Sequence, residues 1–407
     1  MPEPAIPLSE FADRRKKLRA ALKKSVGVVF SGEPNDPLHD DFRPHPHFEY
    51  LTGITDESGA ILILDPANPV VSLREILILR PLNPELEKWD GLRLEVSKAL
   101  RDQTGFHVIL RSDGYNRYPR AINDAVKRTK SVSCLHPLAF HTQPVTPDLA
   151  LFKLLAERIP GLVIEDCTEE VAKLRAVKSK NEVAIIQRAV DISAKGYDAV
   201  MRNIKPGMTE FDGEELLHHA YQTHGSRGPA YGTIVGAGIN STVLHYRANN
   251  QPLVDGDLIC IDSGAAFGGY GADITRTIPV TGKFTKRQRE IYEIVLKAEM
   301  ATIKAVRPGV RITDLDKVAR SIINKAGYGD YFIHGIGHHL GLETHDVTPD
   351  GPLKVGNVIT IEPGIYIPQE KLGVRIEDDV VVTKDGCRNL SAKIPKKATD
   401  IERIMAG

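Results

Sequence analysis

Asp255-Gly256-Asp257-Leu258-Ile259-Cys260-Ile261-Asp262 and Lys354-Val355-Gly356-Asn357-Val358-Ile359-Thr360-Ile361-Glu362 are two versions of one phrase. Each holds a glycine turn, an apolar run of strand length and an acid at its end. Lys205-Pro206-Gly207-Met208-Thr209 likewise returns as Arg307-Pro308-Gly309-Val310-Arg311, Ile234–Gly238 as Ile333–Gly337, and His245 as His345. All lie about 100 residues apart, too long a period and too few copies for a stacked solenoid. The pattern predicts two helix-then-strands units facing each other about a pseudo-twofold axis. Equivalent positions then converge on a cleft.

What converges is acidic. Asp262 and Glu362 end matched strands; Asp273 lies on Gly271–Thr277, and Glu377, its approximate mate, on Val374–Val380. An ionised acid in apolar β sequence pays a large desolvation penalty unless something pairs with it. Arg276 and Arg375 cannot neutralise four acids, whereas two divalent cations can. Strand-end turns or surface ion pairs would explain any one of these acids, but not four related by a repeat. Beside them, His334–Asp346 packs four of the chain's 14 histidines into a Gly-rich stretch, read as a loop or irregular strand. It is not HExxH, so a thermolysin-like zinc helix is excluded. A carboxylate-rich shell with one imidazole suits Mn²⁺, Co²⁺ or Fe²⁺ better than a structural Zn²⁺ site.

Outside this region the sequence is that of an ordinary soluble protein. Its 407 residues predict two domains, and 42% hydrophobic with 26% charged residues predicts a sizeable core. Lys+Arg and Asp+Glu both number 53, so no basic excess points to nucleic acid or an acidic membrane. The four cysteines, 134, 167, 260 and 387, are scattered and read as reduced and buried. No apolar segment follows the basic N-terminal residues, and no run reaches membrane length, so a cytoplasmic location is expected. An α/β domain is expected over 1–168. Phe11, Leu18 and Leu22 share a helix face with the RRKK run solvated, and Val26–Phe30, Ala60–Leu64, Ile76–Leu79 and Val108–Leu110 read as strands. The second domain, 169–407, is α+β. In it Ser179 and Glu182 form a capping box opening a helix that buries Ala184, Ile185, Ala189 and Ile192. Gly268–Gly271 reads as a hairpin turn, and Lys393, Lys396 and Lys397 as a solvated tail. His39, His45 and His47 imitate a metal site on a Pro-rich loop, without nearby Cys. GxSxG, P-loop and Rossmann motifs are absent.

Asp262–Gly264, Ala272–Thr277, His334–Asp346, Thr360–Tyr366 and Val374–Val382 resemble the pita-bread-fold metallopeptidases, the group of methionine aminopeptidase, Xaa-Pro aminopeptidase and prolidase. With Phe42–Gly53 included, the chain as a whole looks most like the Xaa-Pro aminopeptidases. The resemblance implies a pita-bread C-terminal domain and two divalent ions, Mn²⁺ first, with Co²⁺, Fe²⁺ or Zn²⁺ as alternatives. Position by position, it implies that Asp262 chelates one metal, Asp273 and Glu377 bridge both, and His338 and Glu362 complete the other. Glu362 would take the proton from an attacking, dimetal-bridging hydroxide's parent water, and His345 and His245 would hydrogen-bond the reacting peptide. His334, Arg375 and Tyr366 match substrate-binding positions. Trp89 resembles a tryptophan that can reach a neighbouring subunit's site, which implies a homodimer or homotetramer. Gly232 stands where related enzymes often carry a polar residue. The implied partners are peptides with proline in second position. The nearest alternative is a prolidase cleaving Xaa-Pro dipeptides. A metal-free creatinase or a peptide-binding module would be expected to lack ligands that are all present here.

Overall fold

A computed structural model of the chain describes residues 3–34, 42–112, 120–138 and 140–407. His39 lies outside the described residues. The chain divides into two compact units, one spanning Ile6–Arg175 and the other Ala176–Gly407 with the N-terminal residues up to Ala5.

In the first unit six strands form one mixed sheet among the described residues: β1 (Val26–Phe30), β2 (Ile61–Leu64), β3 (Glu75–Leu79), β4 (Ile109–Arg111), β5 (Ser131–Cys134) and β6 (Val163–Asp166), in the order β4-β3-β2-β1-β5-β6. The β1–β2 and β2–β3 pairs are antiparallel and the other three parallel. Helices α1 (Leu8–Leu22), α2 (Pro46–Thr52), α3 (Pro84–Asp90), α4 (Lys98–Thr104), α5 (Arg120–Thr129), α6 (Pro147–Ala156) and α7 (Thr168–Ala176) accompany it. Alternate strand residues Val26, Val28, Ile61, Ile63, Ile76 and Ile78 pack against Ile122, Val126, Leu151 and Phe152. The central strands β1 and β2 are apolar throughout because a central strand is covered on both faces, whereas the edge strand β6 carries Glu165 and Asp166.

One expectation for this unit is corrected. Phe11, Leu18 and Leu22 face inward as anticipated, but half of the RRKK run does too. Arg14 and Arg15 are buried, and their guanidinium groups donate to the carbonyls of Tyr50 and Leu51 at 2.9 Å. Those carbonyls end α2, where no helical amide remains to pair them, so two cations are favoured at that negative helix end. Lys16 and Lys17 are exposed.

The second unit opens with the predicted Ser179–Glu182 capping box. Helices α8 (Lys180–Asn203) and α9 (Glu210–Thr223) lead into strands β7 (Ile234–Ala237) and β8 (Leu258–Asp262), the hairpin β9 (Ala266–Phe267) and β10 (Tyr270–Gly271), and β11 (Thr275–Pro279). Then come helices α10 (Lys286–Ala305) and α11 (Ile312–Lys325), strands β12 (Val358–Ile361), β13 (Gly364–Ile367), β14 (Leu372–Arg375), β15 (Asp378–Thr383) and β16 (Gly386–Asn389), and helix α12 (Ala398–Met405). The strands form sheets β11-β8-β7 and β12-β15-β16 and a pair β13-β14.

The repeat in sequence is a repeat in structure. Gly207 (φ 90°) and Gly309 (φ 87°) turn the chain between the two helices of each half. Their amides reach Leu253 O at 3.1 Å and Leu353 O at 2.9 Å, again equivalent positions. This is the α+β pita-bread arrangement, each half feeding a strand that ends in an acid.

Three details differ from expectation. Ala184 is exposed, and Ile186 takes its place on the buried face of α8. Lys396 is not in a solvated tail: its ammonium pairs with Glu299 at 2.5 Å and with Asp378. All four cysteines are free, but only Cys134 and Cys260 are buried, while Cys167 and Cys387 are half-buried. Among the described residues no helix is long and apolar enough to cross a membrane.

Candidate metal centre

The acids stand where strands stop. Asp262 is the last residue of β8, Glu362 follows β12, Asp273 sits between β10 and β11, and Glu377 between β14 and β15. Strand pairing brings the segments together: Thr275 is opposite Asp262 across β11–β8, and the Glu377 amide donates to Thr275 O at 3.1 Å. A glycine in each half allows the approach. A Cβ on Gly264 would stand 1.8 Å from Ala272 O, beside Asp273, and one on Gly337 would stand 2.1 Å from Thr360 O, two residues before Glu362.

Donor atoms of Asp273, His338 and Glu377 all lie within 4.8 Å of one another. His338 Nε2 is 3.4 Å from Asp273 Oδ2 and 3.6 Å from Glu362 Oε1. Its Nδ1 is 3.0 Å from the His339 carbonyl, a contact that fixes the proton on Nδ1 and leaves Nε2 free to ligate. Asp262 is held by two donors, Arg375 Nη2 at 2.7 Å and Tyr231 Oη at 2.5 Å. Glu377 accepts from Thr275 Oγ1 at 2.7 Å.

The electrostatics show a group of acids that the protein itself does not neutralise. Burial, reinforced by neighbouring carboxylates, drives Glu377 well above the usual range. Burial also raises Asp273, and pushes Glu362 up to about 7. Burial opposes a charged His338, yet its hydrogen bond to Asp273 and the charges of Asp273 and Glu362 lift it to about 9. Arg375 answers only part of this charge. Carboxylates that raise one another, with one imidazole among them, are the donor set divalent cations require. The residues therefore fit, and the Asp273–His338–Glu377 cluster supports a dinuclear metal site.

The acids open onto a cavity of about 500 Å³, lined also by Tyr231, Ile234, Leu244, His245, Arg247, His334, Thr344, His345 and Arg375. His345 and His245 thus reach the same space from equivalent places in the two halves. The His345 ring is 4.1 Å from that of His338, and burial lowers its basicity. Burial and the Arg375 charge hold His334 down to about 4. Of the anticipated site residues, Tyr366 alone does not line the cavity. It is buried one layer behind, its hydroxyl 2.8 Å from His334 Nε2 and accepting from Arg375 Nη1 at 3.0 Å.

Sequence reasoning missed Tyr231, Thr275 and Asp379. Asp379 is buried and accepts from the Asp273 amide at 3.1 Å. Thr275 and Asp379 each lie two residues after a candidate ligand, Asp273 and Glu377, at the start of β11 and β15, a proximity in sequence that was the one available signal. Tyr231 offered none.

The comparisons with known proteins agree with this geometry. Residues 184–384 match the model of "Metallopeptidase family M24", and residues 11–130 that of "Aminopeptidase P, N-terminal domain". The chain is 34% identical to the Xaa-Pro aminopeptidase of Haemophilus influenzae, over 98% of both chains. It is 43% identical to the Xaa-Pro dipeptidase of Pyrococcus furiosus over 54% of this chain and 64% of that one. Among solved structures, the proline aminopeptidase P II of Yersinia pestis superposes with a TM-score of 0.85 at 32% identity, covering 98% of this chain and 100% of that one. The chain belongs to the Xaa-Pro aminopeptidase family of pita-bread-fold metallopeptidases, and it is a metal-dependent aminopeptidase.

Proposed function

We propose that this enzyme removes the N-terminal residue from peptides whose second residue is proline. The observation that carries this is the meeting of five ligand-type side chains and the repeat-related His245 and His345 in one cavity. The likeness to the Haemophilus aminopeptidase runs the full length, whereas that to the archaeal dipeptidase covers 54% of the chain, which favours aminopeptidase over prolidase. On this reading residues 169–407 are the catalytic domain and residues 1–168 the aminopeptidase P N-terminal domain.

Asp262 would hold one ion, Asp273 and Glu377 would bridge both, and His338 and Glu362 would complete the second site. We take Mn²⁺ as the working ion. When bound, two such ions supply Lewis acidity toward the scissile carbonyl and an activated water as nucleophile. Glu362 accepts the proton of that water on its carboxylate. The proton is needed again, because the prolyl nitrogen carries no hydrogen and must gain one to leave as an amine. His345 and His245 donate to the carbonyl oxygen and to the peptide as charge develops. Ile234, Leu244 and the Tyr231 ring supply the apolar surface that a pyrrolidine needs. Arg375 and His334 border the peptide, with Tyr366 fixing both from behind. We place the enzyme in the cytoplasm, as a homodimer or homotetramer. Exposed Trp89 and Leu92, 87% and 93% accessible, are apolar surface that a subunit contact would cover.

The test uses metal-stripped protein reconstituted with Mn²⁺ and offered a Xaa-Pro-Yaa tripeptide beside the matching Xaa-Pro dipeptide. The expected result is release of Xaa mainly from the tripeptide, abolished by metal removal. Glu362→Gln should lower kcat by about 10²–10⁴-fold, since it removes the proton acceptor and leaves only a neutral oxygen toward the metal. Preference for the dipeptide would make the enzyme a prolidase, and no turnover of either would sink both.

A further inference from the structure

The cavity carries a cation that the acid cluster does not use. Arg375 is buried, with its guanidinium committed to Asp262, Thr275 and Tyr366. Arg247 lines the same cavity, two residues beyond His245, but it is exposed. No carboxylate among the described residues forms an ion pair with it. Its place is set by an absence of side chain. A Cβ on Gly232 would stand 3.2 Å from Arg247 Cδ and Nε and 3.3 Å from Cζ. The arginine therefore lies against bare backbone on the wall that also presents Leu244 and His245.

A guanidinium without a counter-ion, on the wall of a substrate cavity, is a receptor for an anion. Its planar fork matches a carboxylate through two parallel hydrogen bonds. A peptide held by its free amine at the acids must run away from them, which carries its own carboxylates toward the non-acidic wall. We propose that Arg247 binds a carboxylate of the peptide substrate and so makes this enzyme select carboxylate-bearing peptides. The proposal rests on the reading of the cavity as a peptidase site. The carboxylate has two possible sources, the C-terminus of a short peptide or an acidic side chain after the proline.

The test compares kcat/KM of the Mn²⁺-loaded enzyme on Ala-Pro-Ala and its C-terminal amide, and on the amides of Ala-Pro-Asp and Ala-Pro-Asn. Charge-assisted pairing in a partly open cleft predicts about a tenfold preference for the carboxylate-bearing member, mainly in KM. The preference should shrink near 1 M salt, where the screening length falls to about 3 Å. Arg247→Gln should bring the ratio to about one, Arg247→Lys should keep part of it, and Gly232→Ala should lower it by displacing the guanidinium. Acid over amide in the first pair identifies the chain end, and Asp over Asn in the second identifies the side chain. Equal rates within both pairs, or a preference that survives Arg247→Gln, would overturn the proposal. Calorimetric binding of Pro-Ala beside its amide, and of the amides of Pro-Asp and Pro-Asn, to the wild type and Arg247→Gln separates the two readings. Should the wild type hydrolyse nothing, the peptidase reading falls, while the acid-over-amide difference in binding still decides the role of Arg247.

Discussion

Arg276 shows how one side chain can hold a metal centre without touching it. It is fully buried and donates from Nε to Pro395 O, from Nη1 to the carbonyls of Thr275 and Glu377, and from Nη2 to Asp378 Oδ1 and Ile394 O. These are all five of its hydrogens. Two hold the backbone of the candidate ligand Glu377 and of its partner Thr275, and two tie down the C-terminal segment. Asp378 is paired further by Asn389, Ser391 and Lys396. Arg276→Met should therefore destabilise the protein by about 3–5 kcal/mol, the usual consequence of removing one member of a buried ion pair. Urea unfolding measures this, and equilibrium dialysis should show weaker Mn²⁺ binding in the same variant. A variant as stable as wild type would mean that Lys396, Asn389 and Ser391 satisfy Asp378 without Arg276.

At the scale of elements, the centre depends on how closely its segments approach. Gly264 and Gly337 play the same part in the two halves, each letting one ligand-bearing segment touch the backbone of another. Gly264→Ala would drive a methyl into Ala272 O, so the segments carrying Asp262 and Asp273 must separate. Overpacking of this kind costs roughly 1–3 kcal/mol, and on the proposed metal assignment the displaced acids should bind less Mn²⁺. Gly386→Ala is the control: its nearest contact is Val306 O at 3.8 Å, an ordinary separation, so stability should stay within about 0.5 kcal/mol. Equal metal content and melting temperature in the two variants would refute this account of Gly264.

At the scale of the molecule, the two units should answer to different perturbations. The second holds acids that only cations relieve, so chelation should lower its melting temperature. An ion at about 100 times its Kd contributes about 2.7 kcal/mol, or roughly 5–10 °C in a unit of this size. Mn²⁺ should restore it. The first unit instead buries a histidine cluster, with His45 4.4 Å from His136 and 5.0 Å from His47 between ring centres. Burial, with the Arg175 and neighbouring imidazole charges, holds His45 down to about 3 and His47 well below its ordinary value; burial also lowers His136. A base depressed on folding stabilises the fold above its unfolded pKa near 6.5, and that contribution is lost as pH falls toward the folded value. Glu49 works the other way: burial raises it to about 7, so it adds stability as pH falls from 7 toward 4.5. Three protons against one leave a loss of up to about 3 kcal/mol per pH unit below 6.5. His45→Asn keeps an N-cap acceptor for α2 and should reduce that slope, read from urea midpoints at pH 7.5, 6.0 and 5.0. A slope unchanged by the substitution would exclude His45 from the acid response.

The sequence alone determined the two-part plan, the helix-then-strands repeat and the four acids at its strand ends. Those features rest on local patterns: apolar runs, glycine turns and capping residues a few positions apart. It also pointed to an imidazole ligand somewhere in the His334–Asp346 cluster and, through their register in the repeat, to His245 and His345; His338 itself was singled out by the family resemblance. What only the tertiary structure decided is who pairs with whom across the sheets. Tyr231 and Asp262 are 31 residues apart, and Thr275 and Glu377 102. The placement of Arg14, Arg15 and Lys396 reversed the expectation of solvated charges because each meets a carbonyl or carboxylate from a distant segment. Arg247 itself carried no sequence signal; Gly232 stood out, but only the fold sets the arginine against that bare glycine. Periodicity reports which face of an element is apolar. It does not report which polar group arrives opposite, because that is set by the closing of the fold.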